Sequence, residues 1–430
     1  MLRRFGCTNY KPFKSPATID VCPLTIFIGR NNSGKSALLR LPRLILRSLS
    51  SRAPRAGMPF GGPQGAIGPQ GSLGSSSLTT PGGFPLEVDG VSFGRTLRDL
   101  VHGGAPHGSV SFDIKASHDR IGVLDLSATV QNVQAVSRPG DVSETTVVSL
   151  LEVRSPQERR LQWELNQGPV PTYQGYGPCI FRGLLPESDQ DFPELEPWRR
   201  EIATFEDYVV HLGPVRAAAK SSYESTSPRF LGLDGEGAIS WLMADKMLED
   251  RVADWFEKHL DGWRLGFDQA GSAARCVLTR GTTTVNLCEA GQGMQQVLPV
   301  VVQQLVEIPS RSFLYLIEQP ELHLHAAAQL PLADLFIETA LTGRGAVLVE
   351  THSENLLLRV RRRIAEGKIA PEQVSLWWVD ELPEGISDVR RINIDASGEV
   401  DYWPKGVFSE AYEEVKAQRR AARGREHGVR

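Results

Sequence analysis

The stretch "LTIFIGRNNSGKSALLR", residues 24–40, decides how the rest of the chain is read. Its apolar run at 24–28 is a short buried strand, residues 29–36 are a loop, and from Lys35 a helix begins with Leu38, Leu41 and Ile45 on one face. Pro42 is expected to bend or end that helix early. The loop fits G-x-x-x-x-G-K-[ST] between a strand and a helix, the context in which that spacing cradles phosphates. Gly29 and Gly34 let the backbone, through Arg30, Asn31, Asn32 and Ser33, wrap an anion. Lys35 reaches the β and γ oxygens, the helix start at Ser36 and Ala37 adds partial positive charge, and the Ser36 hydroxyl suits magnesium. The implied ligand is ATP with Mg2+.

Working outward, a second strand-and-turn occurs far along the chain. "LYLIEQPELHLH", residues 314–325, is an apolar strand running into an acidic turn. Glu318 is placed there to hold magnesium through water. The next position, where a general base is expected, holds Gln319, which cannot accept a proton. A lost general base costs about 10²–10⁴ in rate, yet phosphoryl transfer rests mostly on positioning, and a Gln can orient the attacking water. Glu321 or His352 is then the late proton acceptor. His352 lies in "VLVETHSEN", residues 347–355, at the end of the neighbouring strand, within reach of a γ-phosphate. The helix-length segment 326–341 between the two strands makes a right-handed crossover in a parallel sheet. An alternative reading of the turn is that Glu321, His323 and His325, alternating on extended backbone, bind zinc or iron.

In "CEAGQGMQQVLP", residues 288–299, Gly291 and Gly293 open a helix that Pro299 is expected to bend. That turn is either a plain helix cap or a set of backbone donors for an anion. Residues 54–88 are Gly-, Pro- and Ser-rich and are expected to be a mobile loop. From 108 to 166 the apolar period becomes two, as in Val110, Phe112 and Ile114, which predicts an antiparallel sheet with one wet face. Residues 236–260 place Leu242, Leu248, Val252, Trp255 or Phe256, and Leu260 at helical spacing, without heptads.

Composition fits these elements. With 430 residues, 41% hydrophobic and 23% charged, the chain has enough apolar surface for one large or two ordinary cores. A net charge of −4 gives no global pull toward nucleic acid or anionic membrane. Any such contact must come from "RVRRR", Arg359 and residues 360–363, or from the tail with Lys416, Arg419, Arg420, Arg423, Arg425 and Arg430. The plainer reading of both is a solvated face or a fraying end. Five cysteines without a C-x-x-C pair suit a reducing compartment, and the absence of an apolar span or leader makes a cytoplasmic protein without membrane contact the expectation.

In this order the motifs resemble the bacterial ATPases of the SMC, RecF and OLD (overcoming lysogenization defect) group, with ABC-type heads. Residues 29–39 look like their Walker A, "CEAGQGMQQVLP" like their signature, residues 314–325 like Walker B with the D-loop, and "VLVETHSEN" like the His switch. "HLGPVRAAAKSSYESTSPRFLGLDGEGA" (211–238) and "DYWPKGVFSEAYEEV" (401–415) are similar to stretches of the stand-alone OLD-like AAA ATPases. The resemblance implies an α/β P-loop NTPase with a parallel central sheet, an antiparallel β subdomain and inserted helices. The parts would be 1–50 and 286–385 as the halves of the head, 51–107 as a flexible insertion, 108–210 as the β subdomain, 211–285 as a helical insertion, and 386–430 as a small module with a basic tail.

It also implies a head-to-tail homodimer sandwiching two ATP molecules, each gripped by Walker A of one copy and the signature of the other. Cys288 stands where a Ser is expected, so the contacts across the dimer rest on Gly291 and Gly293. Gln319 implies slow hydrolysis and a long-lived ATP-bound switch. The stretch after His352 is short for the nuclease domain that OLD proteins often carry and has no D-x-D pair. The expected role is an anti-phage scaffold working with a separate effector protein, a nuclease being the leading candidate. A RecF-like ATPase that binds DNA is the alternative.

Overall fold

The computed structural model describes residues 2–50, 84–138, 141–154, 160–165, 181–186, 195–224, 231–270, 273–307, 312–404 and 418. Most of the Gly-, Pro- and Ser-rich insertion, the end of the 401–415 stretch and the basic tail lie outside the described residues.

The centre is a six-stranded sheet in the order Val209–Leu212, Phe313–Glu318, Gly345–Glu350, Leu24–Gly29, Val374–Glu381, Ser387–Ile392. The first five strands are parallel and the last pairs antiparallel. Every residue of Leu24–Gly29 and of Phe313–Glu318 is buried, which is why these runs read as continuous apolar stretches rather than alternating ones. Successive side chains nonetheless divide between two cores. Phe27, Leu314, Leu316, Leu348, Trp377 and Val379 enter one, while Ile26, Ile28, Tyr315, Ile317, Val349 and Trp378 enter the other.

The first core is closed by the helix Lys35–Ser50, the helix Glu196–Glu206 and a second six-stranded sheet, entirely antiparallel. Its order is Ala17–Asp20, Leu2–Thr8, Ser109–His118, Gly122–Arg138, Asp141–Arg154, Arg160–Glu164. Ser109–His118 shows the expected alternation, with Val110, Phe112 and Ile114 inward. The two N-terminal strands belong to this sheet although they precede the phosphate loop, so the chain crosses from one sheet to the other at residues 20–24. Pro42 does not end the helix early. The helix continues to Ser50, because Leu38, Leu41, Leu44, Ile45 and Leu49 are all buried and their packing outweighs the one backbone bond that Pro removes.

The second core is covered by Ala238–Ala244, Lys246–His259, Gln292–Leu305, Ala326–Leu341 and Glu354–Ala365, together with a four-stranded antiparallel sheet of Tyr223–Glu224, Arg264–Ala270, Ala273–Arg280 and Thr283–Asn286. Residues 236–260, read from periodicity as helical, form Ala238–Ala244 and Lys246–His259, and the small sheet falls in the rest of the 211–285 stretch that the resemblance implied to be a helical insertion. Its strand Ala273–Arg280 carries an irregular burial pattern and so gives no period-two signal. Pro299 is accommodated in a continuous helix, and a Cβ on Gly235 would lie 2.3 Å from the Pro299 Cβ, so only glycine lets the two segments close. Among the described residues no helix is long and apolar enough to cross a membrane.

Candidate nucleotide site

The phosphate loop leaves the end of Leu24–Gly29 and enters Lys35–Ser50. Its glycines are fixed by close approach. A Cβ on Gly29 would stand 2.0 Å from the Val379 carbonyl oxygen, and one on Gly34, at φ +94°, would stand 2.7 Å from Pro12 Cγ. Asn32 takes the left-handed conformation that Asn tolerates, with φ 64°. Lys35 is buried and its Nζ donates to the Arg30 carbonyl at 2.5 Å, closing the loop on itself. Burial lowers the Lys35 pKa, opposed by the Glu350 and Glu321 carboxylates.

Glu318 and Glu350 are register partners at the ends of adjacent parallel strands, and their surroundings differ. Glu318 is 1% exposed and is gripped by Arg40 from the loop's own helix through two 2.7 Å bonds, Nε to Oε1 and Nη2 to Oε2. His211 lies 2.6 Å from its Oε1. Burial pushes this carboxyl up, but the bonds from His211 and Arg40 outweigh it and the net shift is downward. His211 is pushed down to about 4, chiefly by burial. Glu350, by contrast, is raised to about 6 by burial and by the nearby Glu318, against a hydrogen bond from the Ser36 hydroxyl and the charge of Lys35. Its Oε2 is buried without a hydrogen-bond partner.

Gln319 sits at φ 44°, its N–H donating to the Glu350 carbonyl at 2.8 Å, which turns the chain sharply after the strand. Glu321 anchors the turn. Its Oε1 accepts the His352 N–H at 2.6 Å, and burial raises its pKa against bonds from His352 and Thr351. His352 has a pKa lowered by burial and by Lys35.

These elements enclose a cleft of about 610 Å³. Asn31, Asn32, Gly34, Lys35, Ser36 and Ala37 form one wall, and Gln319, Glu350 and His352 another. The third comes from Pro12, Glu381, Gly385 and Ser387, which sequence reasoning missed because no motif marks them. The Ser387 N–H donates to the Pro12 carbonyl at 2.8 Å, so two loops from opposite ends of the chain meet at the rim. Glu318 and Glu321 do not line the cleft. A divalent cation fits this site: the Ser36 hydroxyl and a carboxylate with one unpartnered oxygen stand together beside the loop.

The segment 288–293 is also outside the lining. Cys288 N–H donates to Asn286 Oδ1 at 3.2 Å, Gly291 is exposed, and Gly293 lies so close to the turn that a Cβ would meet the His323 carbonyl oxygen at 2.5 Å. From the same helix Gln296 exchanges two bonds with the backbone of Arg216, at 3.1 and 3.0 Å, and Gln295 accepts from the Ala219 N–H at 3.0 Å. Arg216 is 3% exposed and donates to the Glu318 carbonyl at 2.7 Å. It fastens the 216–219 segment under the acidic turn, a role whose only trace in the sequence is the "LGPVR" run.

Two other expectations meet a plain result. Among the described residues no group of three or more His, Cys, Asp and Glu could hold a metal ion, and His323 and His325 are exposed rather than gathered with Glu321. Arg359 and Arg363 both pair with Asp334, Arg361 with Glu399, and Arg362 with Glu366. Each of the four arginines thus pairs within the chain, against three carboxylates.

Residues 244–357 match the family described as AAA ATPase domain. The matched part includes the acidic turn and His352, while the phosphate loop precedes it. No curated protein matches the chain. Among solved structures, it is similar to an SMC head bound to the C-winged helix domain of ScpA (14% identity, TM-score 0.45, covering 91% of this chain and 97% of that one). The SMC head domain from Thermotoga maritima matches at 11% identity and TM-score 0.39, covering 91% and 99%. An SMC head domain with an extended coiled coil bound to the C-terminal domain of ScpA, derived from Pyrococcus furiosus, matches at 12% and 0.40, covering 97% and 99%. These likenesses lend no residue roles to this chain. Its fold is α/β, of the P-loop nucleotide-binding kind, with the loop, the parallel sheet and the antiparallel sheet as described above.

Proposed function

We propose that this chain binds ATP with Mg2+ in the cleft and hydrolyses it slowly, acting as a nucleotide-gated dimeric switch. The observation that carries this reading is the convergence of residues 31, 32 and 34–37 with Gln319, Glu350 and His352 on one cleft of about 610 Å³. The loop amides and Lys35 grip the phosphates, Ser36 faces the cation, Gln319 orients the attacking water and His352 stands by the γ-phosphate. Bound Mg2+ would neutralise charge on the phosphate oxygens. Glu321, committed to the His352 backbone, keeps that histidine in place. Cys288, Gly291 and Gly293 lie apart from the cleft of their own copy, which favours their acting on the nucleotide of a second copy in a head-to-tail dimer.

The finer role, an anti-phage ATPase of the OLD-like kind that holds or releases a separate effector nuclease, rests on motif likeness alone. Co-purification of a nuclease whose retention changes with ATP supports it; capture of the same proteins by a Lys35→Ala variant regardless of nucleotide speaks against it.

The central test is nucleotide binding and turnover by the purified chain. Lys35→Ala is expected to weaken ATP about 10- to 100-fold, the worth of a lost hydrogen bond to a charged partner. Gln319→Glu is expected to raise turnover, since a restored general base is worth about 10²-fold or more. Undiminished affinity in Lys35→Ala overturns the site. Fast turnover by the parent, unchanged by Gln319→Glu, overturns the slow switch.

A further inference from the structure

Two carboxylates compete for the role of cation ligand, and their neighbours separate them. Glu318 has both oxygens occupied, one by Arg40 and the other by Arg40's partner nitrogen with His211 sharing the first. Its strand is also one place further from the phosphate loop, because Gly345–Glu350 lies between Phe313–Glu318 and Leu24–Gly29. That intervening strand adds about 4.8 Å to the distance the carboxylate must cover. Glu350 ends the strand that pairs directly with the loop's own strand, Glu350 opposite Phe27. It lines the cleft together with Ser36, is 3% exposed, and keeps one buried oxygen without a partner. Lys35, whose Nζ donates to the Arg30 carbonyl, makes no bond to that oxygen. A buried carboxylate oxygen without a donor is costly unless something cationic meets it.

We infer that Glu350, together with the Ser36 hydroxyl, is the protein's ligand pair for the divalent cation of the bound nucleotide, and that Glu318 is a positioning residue held away from it by Arg40 and His211. Hard oxygen donors of this kind suit magnesium or manganese, which retain water in their remaining positions. The inference rests on the nucleotide reading above and deepens it.

The test separates nucleotide affinity from cation affinity. Binding of a non-hydrolysable ATP analogue to the full chain is measured with EDTA and with Mg2+, and Mn2+ is followed directly by electron paramagnetic resonance. The parent and Glu318→Gln are expected to bind the analogue more tightly with Mg2+. Glu350→Gln is expected to keep its affinity in EDTA, to lose about tenfold or more of the gain from Mg2+, and to lose the bound Mn2+ signal. Ser36→Ala, which leaves every carboxylate in place, is expected to move the same way and serves if Glu350→Gln melts early; Glu350→Asp is expected to restore part of the gain. Full Mg2+ gain and Mn2+ signal in Glu350→Gln, or their loss in a folded Glu318→Gln, overturns the inference. If the parent binds no analogue in either buffer, the nucleotide reading itself fails and this inference falls with it.

Discussion

Glu318 and Glu350 stand side by side at the ends of neighbouring strands, yet one is tied and the other is open. Glu318 is bound by a guanidinium fork and an imidazole; Glu350 faces the cleft beside Ser36 with one buried oxygen unpartnered. Identical side chains at equivalent positions of one sheet thus take opposite electrostatic characters, the first held ionised and the second pushed toward its neutral form. Strand-end position alone therefore does not assign chemistry; what reaches each carboxylate from the flanking helix and the neighbouring strand does.

The contrast is broken most strongly at Glu318. Glu318→Ala strips the counter-charge from Arg40 and leaves His211 without its partner, and loss of one side of a buried pair costs about 3–5 kcal/mol. Chemical denaturation of the variant is expected to show a shift of that size; a shift below about 1 kcal/mol would mean the buried network is not holding the fold.

Next comes pH. His211 titrates at about 4 in the folded chain, below its ordinary value, so the unfolded chain binds the extra proton first. Stability from His211 is whole above about pH 6.5 and drains away by roughly 3 kcal/mol as pH falls toward 4. Glu350 acts with the opposite sign. Its pKa of about 6 lies above the unfolded value, so the folded chain takes up the proton first and stability falls by about 2 kcal/mol as pH rises from 4.5 to 6. Melting temperature against pH should therefore be shallow in the parent, steeper on the acid side in Glu350→Gln, and flatter or reversed in His211→Gln.

The smallest effect sharpens the comparison from outside. Arg363→Ala removes pairs to Asp334 and Glu366 on a solvated surface, and is expected to cost less than about 1 kcal/mol in the same denaturation experiment. A loss as large as that of Glu318→Ala would show that burial is not what distinguishes the two networks.

The parts of the site that were legible in the sequence are the local ones. Residues 29–36 announce themselves because strand, glycine spacing, Lys35 and Ser36 lie within one short window, and the acidic turn and His352 follow from apolar strands ending in polar clusters. The parallel order of the sheet likewise follows from continuous apolar runs around a helix-length segment. What was illegible depends on partners far apart in the chain. Arg40 meets Glu318 across 278 positions, His211 meets it across 107, and Ser387 meets Pro12 only when the sheet closes. Nothing in the local pattern distinguishes Arg40 from any other helix arginine. At Pro42 packing across a whole face overrode a local breaker, so the helix runs on, and the irregular burial pattern of Ala273–Arg280 left that strand without a period-two signal.

The turn at residues 9–13 belongs to two structures at once. It follows the strand Leu2–Thr8 of the antiparallel sheet, and it also sets Pro12 and Phe13 against Gly34 while the Pro12 carbonyl receives the Ser387 N–H. A side chain at position 34 would have to push Pro12 and Phe13, and with them the end of that sheet, out of place. The antiparallel sheet and the phosphate loop therefore share a point of contact, at Pro12, Phe13 and Gly34.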